Sequence, residues 1–263
     1  MSDTYEMLDI TLRPTKEVAA RVLVLAALCR RAFLERHDPF DDLEEEIDDR
    51  LADELELEDA ESERFDLVAW LADERLLDAA TVGERALLQA PVGALKGDAA
   101  DRATWAGEAL VSLLWSAGMI DLPPSYDGPA DLDDAWQVVP AAGDATQEFA
   151  RSLRLRDEET IAAERDRTEV WFWRIAVEGM RRDAGPSDVA EIDEAITETT
   201  EEAFGMGIDV AIGPTDFLVD GRPVREIDDD VLADVAVAAE MRLRAMNWLC
   251  GFGTGWDDVP LEV

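Results

Sequence analysis

The stretch Thr15-Lys16-Glu17-Val18-Ala19-Ala20-Arg21-Val22-Leu23-Val24-Leu25-Ala26-Ala27-Leu28-Cys29-Arg30-Arg31-Ala32-Phe33 decides the fold class. Val18, Val22, Leu25, Cys29 and Phe33 recur at helical spacing and form one stripe, which Leu23, Val24 and Leu28 widen. Thr15 follows Pro14 and is suited to cap the start, so the pattern predicts a helix to about His37. A helix apolar over so much of its circumference belongs inside a core.

Downstream the helical signals continue. In residues 41–66, 15 of 26 side chains are acidic, and Leu43, Ile47, Leu51, Leu55 and Leu57 leave only a thin apolar seam. That pattern predicts a solvated helix face. Residues 65–77 continue as helix, and Thr81-Val82-Gly83-Glu84 has reciprocal capping-box spacing, starting a short helix to Gln89. Asp101 is placed to cap the run 102–117, with Gly118 where a left-handed terminating residue is wanted. Pro123, Pro124, Pro129 and Pro140 make residues 122–143 the internal boundary.

Beyond the boundary, helices are predicted at about 144–155, 157–182, 187–204 and 229–250, the last stopped by Gly251 and Gly253. The β signal is Phe217-Leu218-Val219 and Pro223-Val224-Arg225 around Asp220-Gly221-Arg222, with Pro223 marking an edge strand. The expected fold is mostly α: a compact, two-lobed helical domain with one small β-hairpin. Its expected organisation is an N-terminal tail, 1–12, then a single helical domain, 13–263, with lobes of about 13–121 and 144–263 joined by the Pro-rich linker 122–143.

Composition speaks to habitat more than to activity. Lys16 and Lys96 are the only lysines, Asp plus Glu number 62, and the formal charge is −38. Such a chain repels itself in dilute buffer, and screening relieves the repulsion as the Debye length falls to about 3 Å near 1 M salt. A disordered acidic chain would not hold 48% hydrophobic residues and eight tryptophans. The expectation is a folded protein of a salt-adapted cytoplasm. The start, Met1-Ser2-Asp3-Thr4-Tyr5-Glu6, does not read as a secretory signal. Cys29 and Cys250 lie in apolar helical patterns and are expected as buried free thiols.

Several function classes fall away. The acidity argues against nucleic acid, which needs clustered Lys and Arg. The run 22–29 is too short to span a membrane, and 103–120 is broken by Gly107, Glu108, Ser112 and Ser116. His37 is the sole imidazole, so histidine zinc sites fail and a Ser-His-Asp triad would depend on this one residue. The glycines of Gly251-Phe252-Gly253-Thr254-Gly255 follow a helix rather than a strand and do not make a phosphate loop. No cofactor is indicated by any motif.

Four segments carry a family resemblance. The run from Glu240 through Arg244, Asn247, Trp248 and Cys250, followed by Trp256-Asp257-Asp258-Val259, resembles the C-terminal signature of domain-of-unknown-function family 4272. Residues 13–25 are similar to that family's opening helix. Trp105 to Leu110 with Leu114-Trp115 resembles its central tryptophan helix, and Leu153-Arg154 with 170–176 its middle arginine and tryptophan segment. The likeness runs from about residue 11 to 259. Phe172 stands where the pattern has a histidine, and the Asp-Thr that follows Trp-Asp in the family is missing from 260–263. The resemblance implies a fold and no particular mechanism.

Two charges stand inside apolar runs: Glu108 within 103–120 and Arg174 within 170–177. An unpaired buried charge costs several kcal/mol, and the simplest expectation pairs the two. On the last helix Glu240, Arg244, Asn247 and Trp248 share a face, with two alternatives. Either their tips converge on a pocket, or Glu240 and Arg244 pair locally while Asn247 caps a turn and Trp248 enters the core. Asp257 or Asp258 could meet Arg242 or Arg244.

The expected ligand-binding set is Glu108, Arg154, Arg174, Arg244, Asn247, Trp248 and Asp257. The expected function is a non-catalytic binding or regulatory module recognising an anionic small molecule or a protein segment. The alternative is a Mg²⁺-dependent all-α hydrolase acting on nucleotides or phosphoesters, using carboxylates such as Glu45, Glu46, Asp48 and Asp49 or Glu191 and Glu194. About 14 acidic pairs at that spacing arise by chance in so acidic a chain, so these matches carry little weight.

Overall fold

The structure, a computed structural model, describes residues 10–35, 49–126, 128–205 and 212–261. Among these residues it is mostly helical, with nine α-helices and one two-stranded antiparallel sheet. Two compact units divide the chain. One comprises Thr15–Pro123 and Ala130–Arg154; the other comprises the described residues of Met1–Pro14, Pro124–Pro129 and Leu155–Val263.

In the first unit α1 (Thr15–Glu35) is the centre, packed against α4 (Asp98–Ser116) and flanked by α2 (Asp49–Asp73), α3 (Val82–Gln89) and α6 (Gln147–Ser152). Val18, Ala19 and all of residues 22–29 are buried, as the wide stripe requires. Two arginines of the helix, Arg21 and Arg31, are buried as well. Each has its charge met: Arg21 donates to both oxygens of Glu84, one at 3.0 Å. Arg31 reaches Glu35 at 2.5 Å and the carbonyls of Ala90 and Pro91 at 3.0 Å. Phe33 departs from the stripe. It is 48% exposed, with its ring 5.9 Å from that of Trp136.

The capping box at Thr81 and Glu84 is formed in both directions. α4 starts three residues before Asp101, with Gly97 at its N-cap, and ends at Ser116; Ala117 is its C-cap and Gly118 follows at φ 65°. A short helix, α5 (Asp133–Val138), lies where the prolines suggested linker. Its entry is placed by tertiary contact: a methyl of Leu132 sits 3.0 Å from where a side chain on Gly107 would begin, a tight approach that glycine eases. Of the acidic seam, Leu57 is 51% exposed. Leu43, Ile47, His37, Glu45, Glu46 and Asp48 lie outside the described residues, as do the side chains of Asp49, Leu51 and Leu55.

In the second unit α7 (Glu158–Asp183) packs on α9 (Asp229–Leu249) and α8 (Pro186–Gly205) packs on α7. Asp157 caps α7 by accepting the Thr160 N–H at 2.9 Å. Between α8 and α9 a hairpin pairs β1 (Leu218–Val219) with β2 (Arg222–Pro223), Val219 facing Arg222. Its turn is therefore the two residues Asp220 and Gly221, at φ 49° and 73°, and Arg222 belongs to the strand. Positive φ at both central residues is the two-residue turn whose twist matches the strands. Val224 and Arg225, expected as strand, instead begin a 3-10 turn, Val224–Glu226. Trp171, Ile175, Phe217, Val224, Val235 and Ala239 form the core between these elements. Cys29 and Cys250 are buried free thiols, and burial pushes each up to about 12, so both stay protonated. No helix among the described residues is long and apolar enough to cross a membrane.

Candidate functional site

The segment Pro124–Pro129 belongs to the second unit and is fastened to it at two points. The guanidinium of Arg242, on α9, donates to the carbonyl of Ser125 and, at 2.7 Å, to that of Gly128. Tyr126 is buried and donates its hydroxyl hydrogen to Glu164 of α7 at 2.5 Å. Burial first, and the Glu164 charge second, push the phenol well above its ordinary value. Its hydrogen therefore stays in place as a donor.

Beneath this strap is a cavity of about 190 Å³. Tyr126, Gly128 and Pro129 come from the strap, Trp171 from α7, and Val219 and Asp220 from the hairpin. The remaining wall is α9, which contributes Val231, Asp234, Val235, Ala238 and Arg242. Offsets of 3, 4, 7 and 11 from Val231 place these on one helix face. Trp171 packs against two rings, Tyr126 at 5.9 Å and Phe217 at 5.2 Å. Asp220 and Asp234 are exposed at the rim.

The hairpin is tied to α7 by a buried charge network. Arg174 donates to both oxygens of Asp216, at 2.6 and 3.0 Å, and to Glu178 at 3.0 Å. Asp216 also accepts from the Phe217 N–H at 2.8 Å and from the backbone and side chain of Arg225 at 3.2 Å. Arg174 and Glu178 are fully buried and Asp216 almost so. Arg174 thus finds its counter-charges inside its own unit, in Asp216 and Glu178 and not in Glu108. Sequence reading missed Asp216 because nothing local distinguishes it among 62 acids.

The expected ligand-binding residues are dispersed. In the first unit Glu108 is buried and accepts the Ala130 N–H at 2.9 Å, while Arg154 donates to the carbonyls of Arg151 and Leu153 at 2.6 Å. In the second unit Arg244, Asn247 and Trp248 are gathered, but as a clasp at the end of α9. Arg244 pairs with Glu240 at 2.9 Å and reaches the Trp256 carbonyl at 3.3 Å, not the Asp257 side chain. Asn247 accepts from Arg165 of α7 at 2.8 Å and donates to the Pro260 carbonyl at 2.9 Å. Trp248 is buried, edge-on to Trp256, with the Arg13 guanidinium 4.9 Å from its ring centre. Asp257 is exposed.

The same clasp holds the chain's beginning. Thr11 and Arg13 donate backbone hydrogen bonds to Cys250 and Leu249 at 3.1 and 2.9 Å. Gly251, at φ 88°, is where Thr11 comes so close that a Cβ would meet its carbonyl oxygen at 2.5 Å. Arg165 and Arg174 are nine residues apart, about 13 Å along α7, so the clasp and the buried network are separate places. None of the expected set lines the cavity.

Among the described residues no group of three or more His, Cys, Asp or Glu is arranged to hold a metal ion. A family model described as domain of unknown function (DUF4272) matches residues 5–197. That span takes in α1, α4 and the tryptophan segment of α7, and stops before the hairpin and α9. No curated protein and no solved structure matches the chain.

Proposed function

The chain belongs to the DUF4272 family, and from that premise we propose that it is a non-catalytic recognition module of a salt-adapted cytoplasm whose binding place is the cavity beneath the strap. The observation that carries this reading is the cavity itself: a concave, mainly apolar space open at a rim with few polar groups, the usual form of a recognition pocket. Its size favours a protein segment over a metabolite. Pockets for drug-sized ligands run from about 300 to 1,000 Å³, whereas about 150 Å³ suffices for one benzene ring. A single side chain fits about 190 Å³; a nucleotide does not.

The arginines once expected to take an anion have other work. Arg154, Arg174 and Arg244 each donate to groups of this chain. The protein segment is therefore the half of the original expectation we retain.

The test is thermal unfolding of the full chain in molar KCl with a set of short peptides that differ in one central residue, and in parallel with Mg²⁺ plus nucleotides. A peptide at about 100 times its Kd adds roughly 2.7 kcal/mol. Filling the cavity through Ala238→Met should abolish the peptide shift while leaving the chain folded. A shift that requires both Mg²⁺ and a nucleotide would replace this reading with the hydrolase.

A further inference from the structure

We propose that the side chain received by this cavity is basic, an ammonium or guanidinium on an apolar stem, presented by a partner protein segment; this rests on the reading of the cavity as the binding place. The walls and the rim differ in chemistry in the way such a side chain does. Val231, Val235 and Ala238 on one side and Trp171 on the other are apolar, suited to the methylenes that long basic side chains bury while their charge stays in water. The rim carries two carboxylates, Asp220 from the hairpin and Asp234 from α9. Neither has a hydrogen bond or ion pair to another described residue.

The backbone of Asp220 is set by the turn. It occupies the first central position of the hairpin turn at φ 49°, a conformation that Asp and Asn tolerate and bulkier residues do not. The turn thus sets the backbone of a residue that lines the cavity.

Charge decides the sign of the guest. Arg242 lines the cavity, but its guanidinium is directed onto the strap carbonyls of Ser125 and Gly128. Two acids and one base leave the lining itself negative, and contact at the rim acts over a few ångströms, within reach even where salt screens the rest of the chain's charge. An acidic or neutral guest would leave both rim carboxylates unanswered.

The probes are Nα-acetyl-lysine N-methylamide and its norleucine counterpart, which share a stem and differ in the ammonium. Each is titrated into the full chain at the lowest KCl concentration that keeps it folded, and the cavity methyl resonances are followed. The lysine compound should bind about five-fold more tightly, the worth of one or two exposed ion pairs. In Asp220→Asn/Asp234→Asn the ratio should fall to about one while norleucine binding persists. That variant shifts the net charge by only two from −38, so loss of the preference would locate it at the rim and not in the overall field. Equal or tighter norleucine binding, or a preference that survives the double variant, would overturn the inference and leave the cavity as a purely apolar site. Failure of both compounds to move the cavity resonances would remove the binding place as well.

Discussion

Asp216→Ala should be among the most damaging single substitutions in the second unit, and the structure says how damaging. The residue is 1% exposed and accepts from three neighbours: both Nε and Nη2 of Arg174, the Phe217 N–H, and Arg225 twice. Its removal leaves the fully buried Arg174 with Glu178, which already serves Arg182 at 3.1 Å and Arg181 at 3.7 Å. Breaking a buried pair by deleting one partner costs about 3–5 kcal/mol. At about 2–4 °C per kcal/mol for a chain of this size, the Tm should fall by roughly 6–20 °C. Urea unfolding in molar KCl reads the loss without changing ionic strength. Arg174→Met should cost a similar amount, and Arg174→Met/Asp216→Leu should lose much less than the two single losses together, because neither charge is then stranded. A loss below about 1 kcal/mol for Asp216→Ala, the range of exposed pairs, or strictly additive losses, would refute the assignment of this network as the hairpin's anchor.

Other expectations follow from separate parts of the molecule. Thr81→Ala should cost about 1 kcal/mol as a lost cap, whereas Glu84→Ala should cost more, since it removes the other half of the capping box and both bonds that buried Arg21 makes to it; chemical unfolding of the two variants separates these magnitudes. Gly251→Ala should destabilise by more than about 1 kcal/mol and release residues 10–14 to faster amide exchange, because the new Cβ would strike the Thr11 carbonyl. The hydrogen bond from Arg64, with that from the Val92 N–H, lowers Glu61 from 4.5 to about 2. A depressed carboxylate stabilises above its unfolded value and ceases to do so as pH falls through its folded one. Glu61→Gln should therefore be less stable than the parent above about pH 4.5, with the gap closing toward pH 2 in paired unfolding curves. Finally, the Tm should climb steeply from dilute buffer to molar KCl, because the salt screens a net charge of −38; a flat profile would contradict the salt-adapted reading.

Fold and site were legible to different degrees, for physical reasons. α1, α3 with its capping box, α7, α9 and the Asp220-Gly221 turn each announce themselves through local chemistry: periodicity, a cap, or a positive-φ dipeptide. α5 did not, because prolines on both sides read as linker while its position depends on Leu132 meeting Gly107. Nor did the buried arginines 21, 31, 165 and 242, since an arginine on a helix looks like surface until its partner is known. At the site, the stripe Glu240, Arg244, Asn247 and Trp248 is real, but it belongs to a clasp that holds residues 11–13 and 256–260 to the end of α9 and ties α9 to α7. The cavity uses the neighbouring stripe, Val231 to Arg242, which reads as plain amphipathic helix. Its signal was the spacing of Val231, Val235 and Ala238 beside Asp234, but the strap that closes it is brought there only by the fold.

The central claim is that recognition happens beneath the strap, and location is what must be measured. Methyl-labelled full-length chain should be titrated in high KCl with a short lysine-bearing peptide. The account predicts shifts that saturate together at Val219, Val231, Val235 and Ala238, with Met246 and Leu249 beside the clasp unmoved. Shifts confined to the clasp, or to α1 and α4 of the other unit while the cavity methyls stay still, would contradict it.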